Sequence, residues 1–497
     1  MNHSRTTLRS ILRVSARSFL RSGPAISEVG LLLVLVTAGS AQVVSTLYSF
    51  TGKNTSAYPV YVTPTQGQDG ALYGTTSDAS VTTGGSVFRL TTSAAASFPH
   101  VFDSSSGTDP FGGVTLSIDG SFYGTTGFGG SANDGVLFRI TPGGGYTVLH
   151  EFQGGADGAL PGAPPIEGTD GGLYGTTNGS TSTPATIYKY TRSSASFSTI
   201  YQFDQAQGQL VTSPLVQATD GNLYGTAFQG GASNCGTIFE VTTSGTYYSF
   251  PCGQGGANPI GPLVQATDGN FYGTTSAGGS NGLGTVVKLD KSGVVSVLHS
   301  FQGNPTDGAS PFAGLVQATD GKLYGATSGG GASNVGSLFQ ITTAGSYKLL
   351  HSLGTLTGNN PVGTLSQHTN GMLYGTTEFG GKSGFGTVYS LDMSLGPFVA
   401  LVHYQGRVGN TARILGQGLT GTSSVTFNGV SATSFNVLRD TYMTAVVPSG
   451  ATTGPVVVTT PGGALTSNKK FRIIGGTASA ARAKSGEPIS RATKKTN

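Results

Sequence analysis

A short motif, Asp/Asn-Gly-x-Leu/Phe-Tyr-Gly, occurs seven times in this chain of 497 residues and constrains its fold more than any other feature. Successive copies begin 48 to 52 residues apart. They start at Asp69, Asp119, Asp170, Asp220, Asp268, Asp320 and Asn370. This period exceeds the roughly 33 to 47 residues of helical repeats and suits about four strands with their connections, the unit of a propeller blade. The motif therefore predicts an all-β fold, a seven-bladed β-propeller over residues 42–395.

Each period reads as four strands, named A to D, and the fifth copy has them most clearly. Strand A is Pro262–Thr267, Asp268 and Gly269 turn the chain into strand B, and strand D covers 294–301. Asp-Gly readily occupies the two positive-φ positions of a type I′ hairpin, so a tight A–B turn of that type is expected. The tight A–B and C–D turns share one face of the ring. The long B–C and D–A loops lie on the other face, where binding sites on rigid scaffolds usually occur.

Closure of the ring depends on the strand D pattern, an aromatic residue or His two positions before Phe or Leu. The pattern follows the first six copies of strand C and occurs once more near the start of the chain, at Ser45–Phe50. An N-terminal strand that completes the last sheet would remove the open edges of the ring. Pro397–Tyr404 is the alternative last strand. The N-terminal segment is preferred because Pro397–Tyr404 fits the following domain better.

Residues 1–41 have the layout of a secretory signal peptide. An apolar run at 29–38 is followed by small residues and a cleavage site after Ala41. Five arginines precede that run: Arg5, Arg9, Arg13, Arg17 and Arg21. The run is too short for a retained membrane anchor, and no other segment is a candidate span. We therefore expect a secreted or cell-surface protein without an integral membrane segment after signal cleavage.

The distribution of charge argues against nucleic-acid binding. The chain has a net charge of +4. Residues 1–41 and the tail 475–497 each carry +4, which leaves −4 on residues 42–474. A nucleic-acid-binding domain would carry its basic surface on the folded part, so no nucleic-acid partner is predicted. The basic tail contains few apolar residues and is expected to be disordered.

From Pro397 the 50-residue period stops, and short alternating strands broken by Gly and Pro follow. Their spacing resembles the IPT/TIG domain, an immunoglobulin-like β-sandwich, which would occupy residues 396–474. The matching residues are Gly416, Gly418, Val425, Phe427, Gly429, Val447, Pro448, Gly450 and Gly454. The repeat unit, DG-x-LYGTT…GG…GTVFKL…VLHSF, resembles the GloVer tandem repeat, a family of exported bacterial proteins. That resemblance implies an extracellular setting and no established activity.

The repeated polar residues are interpreted as structural. Each Asp of an Asp-Gly turn stands alone, without the clustered oxygen ligands that calcium needs, and the Tyr of every copy is expected to pack between sheets. The strand D histidines lie on separate outer strands, so no metal site is predicted from them. These histidines are His100, His150, His299 and His351. None of the usual nucleophile, metalloenzyme or nucleotide-binding motifs occurs, so no catalytic residue, cofactor or metal is predicted.

Two cysteines, Cys235 and Cys252, flank the C–D hairpin of the fourth copy. If this hairpin turns near Thr243 and Ser244, the two cysteines lie opposite one another. A cross-strand disulfide would add about 3 kcal/mol to the free energy of unfolding in an oxidising compartment. Two buried thiols are the alternative.

These observations predict an exported, non-enzymatic binding or scaffold protein whose long loops present a surface to a polysaccharide or protein ligand. Candidate ligand-binding residues are polar positions in those loops: Asp103, Asp109, Asp134, Asp157, Asp204, Asp307, Asn133, Asn234 and Asn334. One alternative is an extracellular carbohydrate-active lyase or hydrolase, with acids from different sheets meeting at the channel of the ring. A second alternative is a purely structural cell-surface or matrix protein.

Overall fold

The computed structural model describes residues 43–52, 57–77, 84–179, 183–204, 207–231, 233–251 and 255–474. Within these ranges the chain consists of β-strands and their connections, with one short 3₁₀ helix at Gly155–Asp157 and no α-helix. All of the described residues belong to a single compact unit. The predicted signal peptide, the basic tail and Cys252 lie outside the described residues.

Each copy of the motif lies in its own four-stranded antiparallel sheet, and these seven sheets of the described chain are called sheets 1 to 7. In every sheet the strands are ordered A-B-C-D. The A strands are Thr65–Gln66, Thr115–Leu116, Ile166–Glu167, Val216–Gln217, Val264–Gln265, Val316–Gln317 and Ser366–Gln367. The B strands are Leu72–Thr76, Phe122–Thr126, Leu173–Thr177, Leu223–Ala227, Phe271–Thr275, Leu323–Thr327 and Leu373–Thr377.

The outer half of each sheet is formed by the C and D strands. The C strands are Ser86–Leu90, Val136–Ile140, Thr186–Thr191, Thr237–Val241, Thr285–Leu289, Ser337–Ile341 and Thr387–Asp392. The D strands of sheets 1 to 6 are Ala96–Val101, Tyr146–Glu151, Ser196–Gln202, Tyr247–Pro251, Val295–Ser300 and Tyr347–Ser352. The B strands are buried throughout, whereas the D strands, as in sheets 2 and 5, consist mainly of half-buried residues. The apolar core of the repeat region therefore lies around the inner strands.

The D strand of sheet 7 comes from the start of the chain. Val43–Ser49 pairs antiparallel with Thr387–Asp392, the C strand of that sheet. The alternative segment, Pro397–Tyr404, instead contributes Ala400–Leu401 to the C-terminal domain, where it pairs with Thr411–Leu415. The first and last strands of the repeat region thus lie side by side in one sheet.

Apolar clusters join each sheet to the next, and one of them joins sheet 7 to sheet 1. Each cluster combines the motif Tyr of one sheet with side chains from the following sheet. At the closing junction Tyr374 lies with Leu72 and Phe88 of sheet 1. Because the contacts run through all seven junctions, the sheets form a closed ring. Each fully buried apolar side chain contributes about 1.5–3 kcal/mol to its stability.

The Gly after each motif Tyr lies on strand B, and in most sheets it makes room for an aromatic ring. A Cβ at Gly225 would lie 2.4 Å from the ring of Phe239, which stands opposite it on strand C. At Gly74 the same approach is made by Phe88, at 2.5 Å. The repeated Gly therefore pairs with a large strand C side chain, and the two positions fill one volume of the core.

From Pro397 the chain forms a sandwich of two four-stranded antiparallel sheets. One contains, in order, Ala400–Leu401, Thr411–Leu415, Tyr442–Val446 and Phe435–Arg439. The other contains Val430–Ser431, Ser424–Phe427, Val456–Thr460 and Gly463–Thr466. A short parallel pair, Gln405–Gly406 with Arg472–Ile473, lies beside them. The two inner faces share one core that includes Ile414, Phe427, Met443 and Val458.

Two short strand pairs tie neighbouring long loops together. Gly256–Ala257 pairs with Ala277–Gly278, and Gly308–Ala309 pairs with Gly329–Gly330. Each pair connects the D–A loop that enters a sheet with the B–C loop of that same sheet. The loop surface of the ring is therefore held by backbone hydrogen bonds as well as by side chains.

Candidate functional site

The A–B turns lie on one face of the ring, here called the turn face, and sheet 4 is representative. Gly221 N donates to the carbonyl of Ala218, and Ala218 N donates to the carbonyl of Asn222. Gly221 has a φ of 93°, whereas Asp220 is not among the residues of positive φ. This is a three-residue connection with a type I turn and a Gly bulge, so the predicted type I′ turn is wrong. Only the Gly needs a positive φ, which leaves Asp220 in a conformation that folds its carboxylate over the turn.

Each turn Asp accepts hydrogen bonds from its own hairpin. Asp220 Oδ1 accepts from Asn222 N, and Asp220 Oδ2 accepts from Tyr224 Oη, both at 2.9 Å. The equivalent Tyr–Asp bonds of sheets 1, 2, 3, 5 and 6 measure 2.6–3.1 Å. In sheet 7 Asn370 Nδ2 donates to Tyr374 Oη at 2.9 Å. Burial and the charge of Asp220 raise the pKa of Tyr224, so this hydroxyl stays protonated and donates.

A second set of contacts, not predicted from the sequence, links A strands to the preceding turn. Gln265 Oε1 accepts from Thr219 N at 3.0 Å, and Gln265 Nε2 donates to Thr219 Oγ1 at 3.3 Å. The same acceptor contact joins Gln217 to Thr169, Gln317 to Thr267, Gln367 to Thr319 and Gln66 to Thr369. We call these five contacts the glutamine ladder. Its signal in the sequence is a Gln three residues before the motif Asp or Asn in five of the seven copies.

In sheet 3 Glu167 takes the place of the ladder Gln and brings a charge to the turn face. Its Oε2 accepts from Ile118 N at 2.9 Å and from Ser117 Oγ at 2.8 Å. Arg192 pairs with the other oxygen of Glu167 and lies 3.6 Å from Asp119 Oδ2. Two carboxylates from different sheets therefore share one guanidinium.

The C-terminal sandwich lies on the turn face. Thr441 Oγ1 donates to the carbonyl of Gln68 in sheet 1 at 2.7 Å, and Tyr404 Oη donates to the carbonyl of Gln217 in sheet 4 at 3.0 Å. Further hydrogen bonds join Arg472 to Thr219, Gln417 to Thr369, Thr369 to Gly416 and Phe398 to Thr369. Sheets 7 and 1 lie across the ring from sheets 3 and 4, so the sandwich spans the axis of the ring on this face.

A cavity of about 290 Å³ remains between the sandwich and the ring. Ile118 and Thr169, from the turns of sheets 2 and 3, form one wall. His403, Gln405 and Arg413 line the opposite wall together with neighbouring residues of the sandwich. The cavity thus lies at the junction between the ring and the sandwich, and polar side chains line both of its walls.

The long loops occupy the other face, here called the loop face, and three predicted ligand-binding residues there hold the loops in shape. Asn133, Asn234 and Asn334 have φ values of 60°, 51° and 54°, which place them in the left-handed region. The side-chain oxygen of each accepts a hydrogen bond at 3.0 Å from the backbone N of Gly129, Gly230 or Gly330, respectively. Asn tolerates this conformation better than most residues, which accounts for its recurrence at this place.

Predicted aspartates in the D–A loops also contact their own loops. Hydrogen bonds from Ser105 and Ser106 lower the pKa of Asp103 to about 2. Asp157 lies 3.0 Å from the Nε2 atom of His150, and Asp307 lies at the same distance from that of His299. The Oδ1 atom of Asp204 accepts from the backbone N of Gln207 at 2.6 Å.

The remaining two aspartates lie where loops meet. Asp109 has a φ of 54° and accepts from Gly127 N through its backbone carbonyl. Asp134 lies against Gly154 of the next loop, because a Cβ there would be 2.9 Å from Asp134 Oδ2. The nine predicted residues are distributed over seven loops, and the structure pairs two of the aspartates with histidines.

Exposed apolar side chains on the loop face were not predicted. Phe128 and Phe379, in the B–C loops of sheets 2 and 7, are 37% and 40% exposed, and Leu356 is 76% exposed. The prediction considered polar loop residues alone, because the sequence does not show which apolar loop side chains are exposed.

Three of the four strand D histidines, His100, His150 and His299, stack on aromatic rings of the next sheet. His100 lies 3.9 Å from the ring of Tyr146 and His299 lies 3.8 Å from that of Tyr347, with nearly parallel planes. Within the described ranges no group of three or more His, Cys, Asp and Glu could hold a metal ion. Cys235 is disulfide-bonded. Cys252 lies outside the described residues, and the pairing of the two remains a prediction.

The model of the Gloeobacter/Verrucomicrobia repeat matches residues 27–185, 161–271 and 246–437. The chain belongs to the Gloeobacter/Verrucomicrobia repeat family. No curated protein is similar to it. Within the described residues of this family member, no helix has the length and apolarity needed to cross a membrane.

Several solved structures are similar to this family member at low identity. A fungal alcohol oxidase of the AA5 family, in complex with copper, is 14% identical, covers 84% of this chain and 98% of its own, and has a TM-score of 0.46. The oligogalacturonate lyase of Vibrio parahaemolyticus is 14% identical, with coverages of 71% and 94% and a TM-score of 0.46. A putative 6-phosphogluconolactonase of Bacteroides uniformis is 16% identical, with coverages of 66% and 93% and a TM-score of 0.45.

Proposed function

We propose that this chain is an exported, non-enzymatic binding or scaffold protein whose loop face presents a surface to a polysaccharide or protein ligand. In this proposal sheets 1 to 7 are the blades of a seven-bladed β-propeller, and the sandwich is an immunoglobulin-like domain of the IPT/TIG type. Secretion or display on the cell surface follows from the predicted signal peptide.

The observation that carries the proposal is the difference between the two faces: the sandwich docks on the turn face, whereas the loop face is left exposed. The hydrogen bonds that join the sandwich to the ring, among the described residues, go to the turn face. The sandwich therefore docks on the part of the turn face formed by sheets 7, 1, 3 and 4, and the repeated groups on that face bind one another. The loop face carries the sequences that differ between repeats and exposes Phe128, Leu356 and Phe379. Aromatic side chains of this kind bind sugars by stacking and proteins by burial.

Binding by the mature chain to glycan and protein arrays tests the proposal. Phe128→Ala and Phe379→Ala are expected to weaken the binding of any ligand found by about thirtyfold each, since the loss of a hot-spot aromatic costs about 2 kcal/mol. Val294→Ser is the matched control, because Val294 is 56% exposed in the C–D turn of sheet 5, away from the loop face. Array binding that both Phe variants retain in full would contradict a ligand site at these residues.

The enzymatic alternative rests on Asp119 and Glu167, which come from different sheets and share Arg192. A glycosidase acid needs a pKa raised towards neutrality. Burial raises the pKa of Asp119, but this effect is outweighed by hydrogen bonds from Tyr123 and Ser121 and by the charge of Arg192. The net result is a pKa of Asp119 below its usual value. Asp119 is therefore ionised at neutral pH and unable to serve as the acid. Cleavage of a polysaccharide by the wild-type chain that Asp119→Asn abolishes would favour the enzyme instead.

A further inference from the structure

The cavity between the sandwich and the ring arises because the sandwich bridges over sheet 2. Its hydrogen bonds go to the turns of sheets 1 and 7 on one side and of sheets 3 and 4 on the other. The intervening turn contributes Ile118 to the cavity wall instead of a bond to the sandwich. The resulting space of about 290 Å³ is close to the lower limit of about 300 Å³ for small-molecule sites, and it lies at a junction of two domains, where such sites are common.

The charge of the cavity favours an anion. Arg413 lines it, and none of the ion pairs among the described residues includes Arg413. The nearby carboxylate of Glu167 is already paired with Arg192, and its oxygens also accept from Ser117 and Ile118. A guanidinium without a carboxylate partner is suited to bind a carboxylate through two parallel hydrogen bonds.

The rest of the lining suits a molecule that bears several hydroxyl groups. Gln405, Asn410 and Thr411 bring amide and hydroxyl groups to the sandwich wall, and Thr169 adds a hydroxyl from the ring. The His403 ring lies at the edge, with Nε2 3.5 Å from the carbonyl of Glu167. Amides and hydroxyls both donate and accept, as sugar hydroxyls require of a binding site.

We propose that this cavity binds a carboxylate-bearing monosaccharide, with its carboxylate on Arg413 and its hydroxyls on the amides and hydroxyls of the two walls. The site is separate from the loop face and does not depend on the proposed function, because its residues lie on the covered side of the ring. A ligand here contacts both ring and sandwich and so strengthens their association.

Calorimetric titration of the mature full chain with glucuronate, glucose and acetate tests this site. Glucuronate is expected to bind at one site per chain, and acetate and glucose at least tenfold more weakly. Arg413→Gln is expected to weaken glucuronate binding at least tenfold. Arg407→Gln, at an exposed arginine of the same domain, is the charge-matched control and should leave binding unchanged.

A second variant keeps the test independent of any effect of Arg413 on folding. Ile118→Trp enlarges a side chain on the ring wall and so fills part of the cavity, while Arg413 itself is left unsubstituted. It should abolish glucuronate binding while the thermal unfolding midpoint stays close to that of the wild type. Failure of glucuronate to bind the wild type at millimolar concentration would overturn the proposal. Acetate binding as tight as that of glucuronate, or binding that survives both Arg413→Gln and Ile118→Trp, would do the same.

Discussion

Each motif Tyr buries its ring between two sheets and directs its hydroxyl to the turn that precedes it. A buried hydroxyl without a partner costs about 1–3 kcal/mol, so a Tyr at this position needs an acceptor nearby. The Asp four residues earlier supplies one in six sheets, and Asn370 supplies a donor in the seventh. The turn residue and the Tyr that packs between the sheets therefore recur together in every copy of the motif.

Tyr224→Phe tests this pairing. The variant leaves the packing intact but removes the donor to Asp220 Oδ2, and it is expected to lower the free energy of unfolding by about 1 kcal/mol. The measurement is urea denaturation at neutral pH. Tyr389→Phe is the control, because the buried Tyr389 hydroxyl has no hydrogen-bond partner among the described residues, and its removal should leave stability unchanged or raised. Equal losses in the two variants would contradict a role for the Tyr–Asp bond.

Strands could be located from the sequence because period, turn residues and apolar alternation agree in every copy. The turn type could not be predicted from the sequence, since Asp-Gly suits both a type I′ turn and a type I turn with a Gly bulge. Which of the two forms depends on the hydrogen bonds of Asp220. The glutamine ladder could not be predicted from the sequence either, because the two partners of each contact are about 50 residues apart, as with Gln265 and Thr219.

The candidate site was predicted less well than the elements. Loop position led to the choice of polar residues such as Asn133 and Asp157, but it could not reveal that their side chains form hydrogen bonds within the loops. The sandwich could be expected from its own strand pattern. The residues that dock it on the ring could not, because Tyr404 and Thr441 donate to backbone carbonyls, which every residue type carries. The cavity beside Arg413 depends on that docking and was unpredictable for the same reason.

At the level of strands, removal of 43–50 is expected to open the ring. The C strand Thr387–Asp392 would become an edge with unpaired backbone groups, which promotes association between copies. Size-exclusion chromatography should then detect oligomers. A synthetic peptide with the sequence of residues 43–50 should restore the monomer, and a scrambled peptide should not. A truncated chain that stays monomeric with unchanged thermal stability would refute this role of the strand.

At the scale of the whole molecule, the ring is held by seven apolar junctions, by the glutamine ladder and by the sandwich across the turn face. The closing junction carries an additional bond, because His368 Nε2 donates to the carbonyl of Gly70 at 3.0 Å and His368 Nδ1 accepts from Asn370 N. The bond from Asn370 N requires the neutral imidazole, because a protonated Nδ1 cannot accept a hydrogen bond. Burial lowers the pKa of His368, which keeps it in that form.

Global stability is accordingly expected to fall as the pH is lowered below about 6.5. Burial lowers the pKa values of His100, His351 and His368 below 6.5, so the unfolded chain takes up protons first as the pH falls. Their contribution is complete above pH 6.5 and is lost as the pH falls through the lower pKa values of the folded state. Urea denaturation at several pH values measures the slope. His368→Gln should reduce that slope, whereas an unchanged slope would exclude His368 as a contributor.

The pairing of the first and last strands of the ring in sheet 7 has a consequence for its evolution. Val43 stands opposite Asp392, so the two ends of the repeat region are neighbours in space. Circular permutants of residues 43–392, with new termini in a D–A loop, should therefore close once a short linker joins Val43 to Asp392. Duplication or loss of a whole internal repeat would likewise leave the strand pairing of the closing sheet unchanged, because both of its outer strands lie outside the internal repeats.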